Sequence, residues 1–435
     1  MKQQSQPEPL WSKNFILLLV SAVFMYISTF MFTPTLPLYA RNIGAVNPSV
    51  GGFIILVYTV GSLVPRVLWG NLADRWQRKP VFLIGVIIMA AAAPFFGLFM
   101  SLPGILIIRL IQGVGFSASS TSGSTMAVDL VPSSRMTEGI GVYTLANTVG
   151  MALGPDLGLN ILQKRGAQWL FRAGVMSGIV SLGLIMFLNY EKKRGVNRLT
   201  PNPANTAIPD TEVASLRAVK LSSKHVKLFE RSVLTTSLVA FFAVMPYGAI
   251  MAYIASYGID RGVDNIGLYF SVYALSLFFV RLVIGRLSDQ YGETVVIIPG
   301  IALMLGGLIV LNWANNLAVF MLSAVLFGLG FGVIFPLLQS IAYMFCPEGS
   351  RGAASATLFS TTDLAYGLGA VIVGFGIKSV GYAAAFAGLA IFVIISFIFY
   401  MMLIYPRLKS YRNEKADSGI ESVKNNSNNM HNNAV

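Results

Sequence analysis

Twelve apolar segments, each about as long as a bilayer-crossing helix, are the feature that most constrains the fold of this chain. A helix that crosses the hydrocarbon core of a membrane needs about 20 mostly apolar residues. Inside lipid a helix satisfies its backbone hydrogen bonds within the segment, which favours helical spans. We therefore predict an all-α membrane protein with spans at approximately 14–39, 48–70, 80–101, 103–127, 138–162, 168–189, 233–257, 265–288, 293–311, 317–344, 353–377 and 381–404.

Composition supports this class and excludes others. Of 435 residues, 55% are hydrophobic and 11% are charged, whereas a soluble domain carries roughly 25% charged residues. The net charge of +13 does not indicate a nucleic-acid partner, because the basic residues lie in the short segments between apolar runs. The single cysteine, Cys346, allows no internal disulfide. Because the whole sequence contains one cysteine and two histidines, we expect neither a metal nor a cofactor.

The spans fall into two groups of six. The polar, proline-containing stretch 191–231 separates the groups and is rich in Lys and Arg, which predicts a cytoplasmic linker. This divides the chain into an N-terminal six-helix bundle (1–190), the linker and a C-terminal six-helix bundle (232–405). The Asn-rich end, 406–435, is predicted to be a disordered cytoplasmic tail.

Charge in the loops predicts the orientation. The loop Asn71 to Pro80 is basic, whereas Ser101 to Gly104 and Asn312 to Asn316 contain no basic residue, so both termini should be cytoplasmic. The run Phe15 to Tyr39 has no small-residue cleavage site after it and is predicted to be the first span rather than a signal peptide.

The two groups carry a trace of duplication. The ends of the second and eighth spans share four residues at the same spacing, and each pair is 215 positions apart: Arg66 and Arg281, Gly70 and Gly285, Leu72 and Leu287, Asp74 and Asp289. Parallel halves with a substrate site between them are the transporter architecture that follows.

Three motifs in the expected spans carry a family resemblance. The segments Gly70 to Pro80, Arg109 to Gly115 and Gly150 to Gly158 resemble the signatures of the major facilitator superfamily, and the last resembles that of its drug/proton antiporters. Gln77 stands where a glycine is usual, and Asp156 stands where a small or apolar residue is expected. The resemblance implies two pseudo-symmetric six-helix bundles that alternate access to a central site.

The loop signature and its neighbours predict a cytoplasmic gate. Gly70 lets helices approach closely, and a carboxylate at Asp74 is favoured at the positive N-terminal end of a helix in the other half. With the positions implied by the resemblance, the gate comprises Gly70, Asp74, Arg75, Arg78, Asp129 and Arg135. Alternatively, the basic residues only anchor topology, and Asp129 and Arg135 are solvated helix-end charges.

Small residues in the fifth span form a stripe. Gly150, Gly154 and Gly158 recur every four residues on one helix face, which permits close packing, and Pro155 favours a bend. Helix packing alone and a gating role explain this stripe equally well. Asp156 points away from it, towards a cavity or another helix of the same half.

Charged residues within spans are costly and are functional hypotheses by default. We predict proton coupling by Asp156, Arg109, Asp363 and Arg66, with Arg66 pairing with Asp363 across the halves and Arg109 pairing with Asp156. The alternative for each pair is a permanent structural contact. Arg172 and Arg281 lie near span ends, from which their long side chains could reach the membrane surface.

The family's cavity-lining helices suggest where a substrate binds. Candidates in these helices are Tyr26, Met31, Gln112, Met245, Tyr247, Phe331 and Gln339. These side chains could instead be ordinary packing.

Together these observations predict a monomeric, proton-coupled exporter of a small organic or amphipathic molecule, such as a drug or metallophore, in the plasma membrane. It would not be an enzyme, and the sequence contains no nucleotide-binding loop for an ATP-driven pump. A nutrient symporter or uniporter, such as a sugar carrier, and a non-transporting membrane sensor are the alternatives.

Overall fold

The computed structural model describes residues 10–44, 47–132, 135–189, 230–347 and 351–410. Within these ranges the regular structure is helical, without a strand. The helices assemble into twelve spans: Lys13–Asn42; Ser49–Leu63 with Arg66–Arg75; Arg78–Ala92 with Phe95–Leu98; Leu102–Leu130; Met136–Arg165; Ala167–Met186; Leu234–Asp260; Leu268–Tyr291; Glu293–Leu311; Leu317–Met344; Arg351–Gly388 as far as a kink at Gly381; and the rest of that helix with Ala390–Phe399 and Tyr400–Ile404.

Nine described helices are long and apolar enough to cross a membrane by length and composition alone. The other spans differ for local reasons. Ser49–Leu63 is short because the helix is interrupted at Pro65 and resumes at Arg66, and the stretch Ala353–Ser410 counts as one helix although it bends at Gly381. Met136–Arg165 is less apolar because its interior contains glycines, threonines and asparagines together with Asp156. The all-α class with twelve spans is confirmed for the part of the chain that the structure describes.

Helix boundaries repeat the duplication seen in the sequence. Ser101 and Asn316, 215 positions apart (316 minus 101), each cap the N-terminus of a span with a side-chain oxygen. Gly166 and Gly381 are also 215 apart (381 minus 166), and both adopt a positive φ, 86° and 78°. A residue with a side chain is strained in that region, so glycine lets the chain turn directly from one span into the next.

Close glycine contacts hold the spans of each half together. A Cβ atom on Gly85 would lie 2.5 Å from the carbonyl oxygen of Gly115 in the fourth span. In the C-terminal half, a Cβ atom on Gly330 would lie 2.5 Å from the carbonyl oxygen of Gly300. These pairs are again 215 positions apart (300 minus 85 and 330 minus 115), so the same helix crossing is used twice.

The two halves meet mainly at one end of the bundle. We call the end where the first span begins the terminal face and the opposite end the far face. Near the far face, Tyr253 Oη donates to the carbonyl oxygen of Pro48 at 2.8 Å, and Ser271 Oγ donates to that of Ala152 at 2.9 Å. A Cβ atom on Gly52 would lie 2.5 Å from Val371 Cα, which shows how closely spans two and eleven approach.

The predicted linker, except for its last two residues, lies outside the described residues. The last span continues to Ser410, five residues beyond the predicted end of the C-terminal bundle at 405. The rest of the predicted tail, 411–435, is also outside the described part of the chain.

Candidate functional site

An ion pair joins the two halves deep in the bundle. Arg66 Nη1 lies 2.8 Å from Asp363 Oδ2, and both side chains are about 30% exposed (28% and 31%). Pro65 interrupts span two directly before Arg66, so the arginine begins a new helical segment, and its side chain reaches Asp363 of span eleven. The structure therefore brings together the pair predicted across the halves.

A central cavity of about 250 Å³ lies between the halves beside this ion pair. Most of its wall comes from the C-terminal half, and Phe30, Asn147 and Met151 come from the N-terminal half. The remaining lining residues are Val244, Tyr247, Tyr273, Leu277, Arg281, Phe331, Phe335, Phe359, Thr362, Asp363 and Tyr366.

Aromatic rings form much of the cavity wall. The Tyr247 ring centroid lies 4.8 Å from that of Phe331, 5.3 Å from that of Tyr366 and 5.9 Å from that of Tyr273. Tyr247 Oη also donates to Met151 Sδ at 3.1 Å, across the two halves. The cavity therefore combines flat apolar walls with the charges of Arg281 and Asp363.

Arg109 is buried, with 1% of its surface exposed. Its Nη1 donates to Gln112 Oε1 at 3.3 Å, and its Cζ lies 4.9 Å from the centroid of the Tyr58 ring. A cation over an aromatic face is stabilised by about 2 kcal/mol when desolvated, which partly offsets the loss of water. Its Nε is sealed from solvent without a hydrogen-bond partner among the described residues.

The predicted contact between Arg109 and Asp156 is wrong for the described chain. Asp156 Oδ1 instead accepts from Asn160 Nδ2 at 3.1 Å. Its side chain also lies against Gly267, where span eight of the other half begins, rather than against another helix of its own half, which was one of the two predicted directions. A similar depth in the membrane does not determine the direction in which two side chains point. The Arg109 side chain packs on the Tyr58 ring of its own half, whereas the Asp156 side chain lies against the other half.

Two of the seven cavity candidates, Tyr247 and Phe331, line the central cavity. The other five serve contacts between or within helices, because a residue's span does not determine which way its side chain points. Tyr26 packs against Phe116 and Gly150, Met31 against Gly154 and Gly158, and Met245 against Gly369, while Gln112 accepts from Arg109 and Gln339 donates to Tyr343.

Sequence reasoning missed several cavity residues, of which Arg281 is the most consequential. Its position near a span end allows its side chain to reach the membrane surface, but it lines the cavity together with Tyr273, Tyr366 and Asn147. The repeat contained the signal, because Arg281 occupies the position in span eight that Arg66 occupies in span two.

The predicted gate is only partly described. Arg78 forms an ion pair with Asp129, and its Nη1 donates to the carbonyl oxygen of Thr125 at 2.9 Å, which ties the loop signature to the end of span four. Arg135 pairs with Glu138 at 2.7 Å. The side chains of Asp74 and Arg75 lie outside the described part of the structure.

Gly70 does not have the predicted close contact. A Cβ atom there would meet no described atom within 4 Å. Spans of the two halves approach each other closely near the far face, at Gly52.

The glycine stripe of span five packs against span one. Cβ atoms on Gly150, Gly154 and Gly158 would collide with Tyr26, Ile27 and Met31; the one on Gly154 would lie 3.0 Å from the Ile27 carbonyl oxygen. Pro155 lies inside this continuous helix.

Comparisons with known proteins place this geometry among membrane carriers. A family model described as the Major Facilitator Superfamily matches residues 18–264 and 233–427. The chain is 24% identical to the class H tetracycline resistance protein of Pasteurella multocida, over 84% of this chain and 89% of that one. It is 23% identical to the staphylopine export protein of Staphylococcus aureus, over 80% of this chain and 87% of that one. The solved nucleoside transporter NupG has a TM-score of 0.70 at 13% identity and is covered completely, with 90% of this chain matched.

Proposed function

This chain is a transporter of the major facilitator superfamily, and we propose that it exports a small organic or amphipathic molecule in exchange for protons. Relatives named for tetracycline resistance and staphylopine export support the outward direction and substrates such as a drug or a metallophore. Their identity to this chain is below 25%.

The observation that carries this proposal is the ion pair between Arg66 and Asp363. It joins the two halves at the wall of the central cavity, where Asp363 is also a lining residue. A proton on Asp363 would remove its negative charge and weaken the attraction to Arg66. Protonation would then bias one arrangement of the halves over the other, which is the differential interaction that coupling requires. A permanent structural pair would stabilise both arrangements without responding to pH.

Asp156 supplies a second inter-half contact in this proposal. Its position beside Gly267 places a carboxylate near the first turn of span eight, where a helix N-terminus favours negative charge. We assign it to closure of the far face, and we assign Arg109 to support of span two through Tyr58.

The orientation follows from the charge of the loops. We propose that the terminal face, both termini and the linker are cytoplasmic and that the protein functions as a monomer in the plasma membrane. Arg78 and Asp129, with Asp74, Arg75 and Arg135, would then form the cytoplasmic gate. In this orientation the far-face contacts close the outer side, and the cavity is loaded from the cytoplasm.

Substrate-dependent proton movement tests the proposal. Purified protein in proteoliposomes with a pH-sensitive dye trapped inside is exposed to a panel of compounds, with and without an imposed pH gradient. Antiport predicts a proton flux opposite in direction to the flux of the compound. The conservative variant Asp363→Glu, which keeps a carboxylate, should retain this flux. Movement of protons and compound in the same direction would establish the symport alternative, and no flux of any compound would support a sensor.

A further inference from the structure

We propose that Arg281 binds the anionic group of the transported molecule, which would make the substrate class an aromatic or flat apolar organic acid. This inference rests on the proposed export function and adds the charge of the substrate. Its basis is a charged side chain in the cavity wall for which the described part of the chain shows no partner.

The duplication shows which partner is missing. Arg281 is the counterpart of Arg66 (281 minus 66 is 215), and Arg66 is paired with Asp363. The counterpart of Asp363 is Thr148 (363 minus 215), and the adjacent Asn147 lines the cavity with Arg281. Neither residue carries a charge, so the second half of the symmetric arrangement has an arginine without its acid.

The surroundings of Arg281 agree with this reading. Its Nε is sealed from solvent and has no hydrogen-bond partner, and no hydrogen bond or ion pair of its side chain occurs among the described residues. An unpaired charge in a low-dielectric site is strongly disfavoured, so such a side chain gains most from an anion. A guanidinium group matches a carboxylate through two parallel N–H donors.

The rest of the cavity selects the body of the ligand. Tyr247, Tyr273, Tyr366 and Phe331 offer ring faces and edges, which favour aromatic or flat apolar groups. The Tyr273 hydroxyl is buried without a partner in the described structure and could donate a further hydrogen bond to the anion.

The local charge balance also favours an anion. Among the described residues that line the cavity, Asp363 is the one acid, and its pairing with Arg66 leaves Arg281 uncompensated there. A cationic ligand would be repelled by this arginine, and a neutral ligand would leave it unpaired.

Binding of matched probes to the purified full-length protein tests the inference. We would measure dissociation constants by calorimetry for 2-naphthoate, the neutral 2-naphthamide and the cationic 2-naphthylmethylammonium. A charge-assisted hydrogen bond contributes about 1.5–3 kcal/mol, so naphthoate should bind roughly 10- to 150-fold more tightly than the amide. Equal binding of the three probes, or no binding of naphthoate by folded protein, would overturn the inference.

Variants locate the effect at Arg281. Arg281→Gln should abolish the preference for naphthoate and leave the melting temperature unchanged or higher, because an unpaired charge is removed. Arg281→Lys should retain part of the preference, and Asn147→Asp should lose it because an acid is placed in the same wall. The matched control is Arg172→Gln, which removes an arginine stacked on Trp169 (5.1 Å) outside the cavity and should keep the preference.

The proposed function and this inference can fail separately. Proton antiport with neutral or cationic compounds, unaffected by Arg281→Gln, would overturn the assignment of an anionic substrate alone. Anion-selective binding without proton movement would instead overturn the proposed coupling.

Discussion

The contact at Gly52 predicts that one methyl group can move the conformational equilibrium without unfolding either half. In Gly52→Ala, the new Cβ atom would lie 2.5 Å from Val371 Cα and 2.6 Å from the carbonyl oxygen of Ala370. Both are backbone atoms of span eleven, so no side-chain rotation relieves the clash. The strain is removed when spans two and eleven separate at the far face.

The size of the effect follows from the cost of overpacking, which is about 1–3 kcal/mol for a well-packed contact. Because this strain is present only while the far face is closed, it adds to the free energy of that state alone. The ratio of far-face-open to far-face-closed molecules should therefore rise by roughly 5- to 150-fold.

A cysteine in the far-face pocket reports this ratio. Ser256 lines a pocket of about 560 Å³ at that face and is 5% exposed in the closed arrangement. In a Cys346→Ser background, Ser256→Cys should react with a membrane-impermeant maleimide faster when Gly52→Ala is added. The rate is measured in intact cells, and thermal stability is measured on the same purified variants.

Two glycines in other surroundings serve as controls. Gly85→Ala produces a backbone clash of the same size, 2.5 Å from the Gly115 carbonyl oxygen, but within one half. It should lower the melting temperature without increasing labelling. The new Cβ atom in Gly183→Ala would meet nothing within 4 Å, so this variant should neither lower the melting temperature nor increase labelling. If Gly52→Ala destabilised the protein as Gly85→Ala does and left labelling unchanged, the far-face argument would be refuted.

Three further predictions concern coupling and topology. Asp363→Asn should lose at least about tenfold of the flux driven by an imposed pH gradient, since it removes the titrating partner of Arg66, while the protein stays folded; unchanged driven flux would contradict this. Asp156→Asn should keep most of the driven flux, because Asp156 has no contact with Arg109, and should increase far-face labelling at Ser256→Cys. Loss of the driven flux with exchange retained would instead identify Asp156 as the proton carrier. A cysteine at Asn205 should be unreactive towards an impermeant maleimide in intact cells and reactive after permeabilisation.

The span pattern was readable from the sequence because it depends on length and hydrophobicity, which the bilayer imposes on each helix separately. The pairing of Arg66 with Asp363 was also accessible, since an isolated charge in lipid requires a partner and few acids are available. Arg109 and Asp156 satisfied the same reasoning and yet do not meet. An alternative partner, the ring of Tyr58, was not evident from sequence because aromatic residues occur in every span and few act in this way.

The duplication is most informative where it fails. Gly85 with Gly115 and Gly300 with Gly330 keep the same crossing in both halves, since a backbone contact tolerates no change. The position of Asp363 has no such constraint, and the first half holds Thr148 there. Asp363 neutralises Arg66 within the protein, whereas Thr148 offers no such charge and leaves the counterpart, Arg281, to a ligand. A carrier with two equal halves could neutralise both arginines internally, so it is the difference between the halves that gives this cavity a charge to offer a substrate.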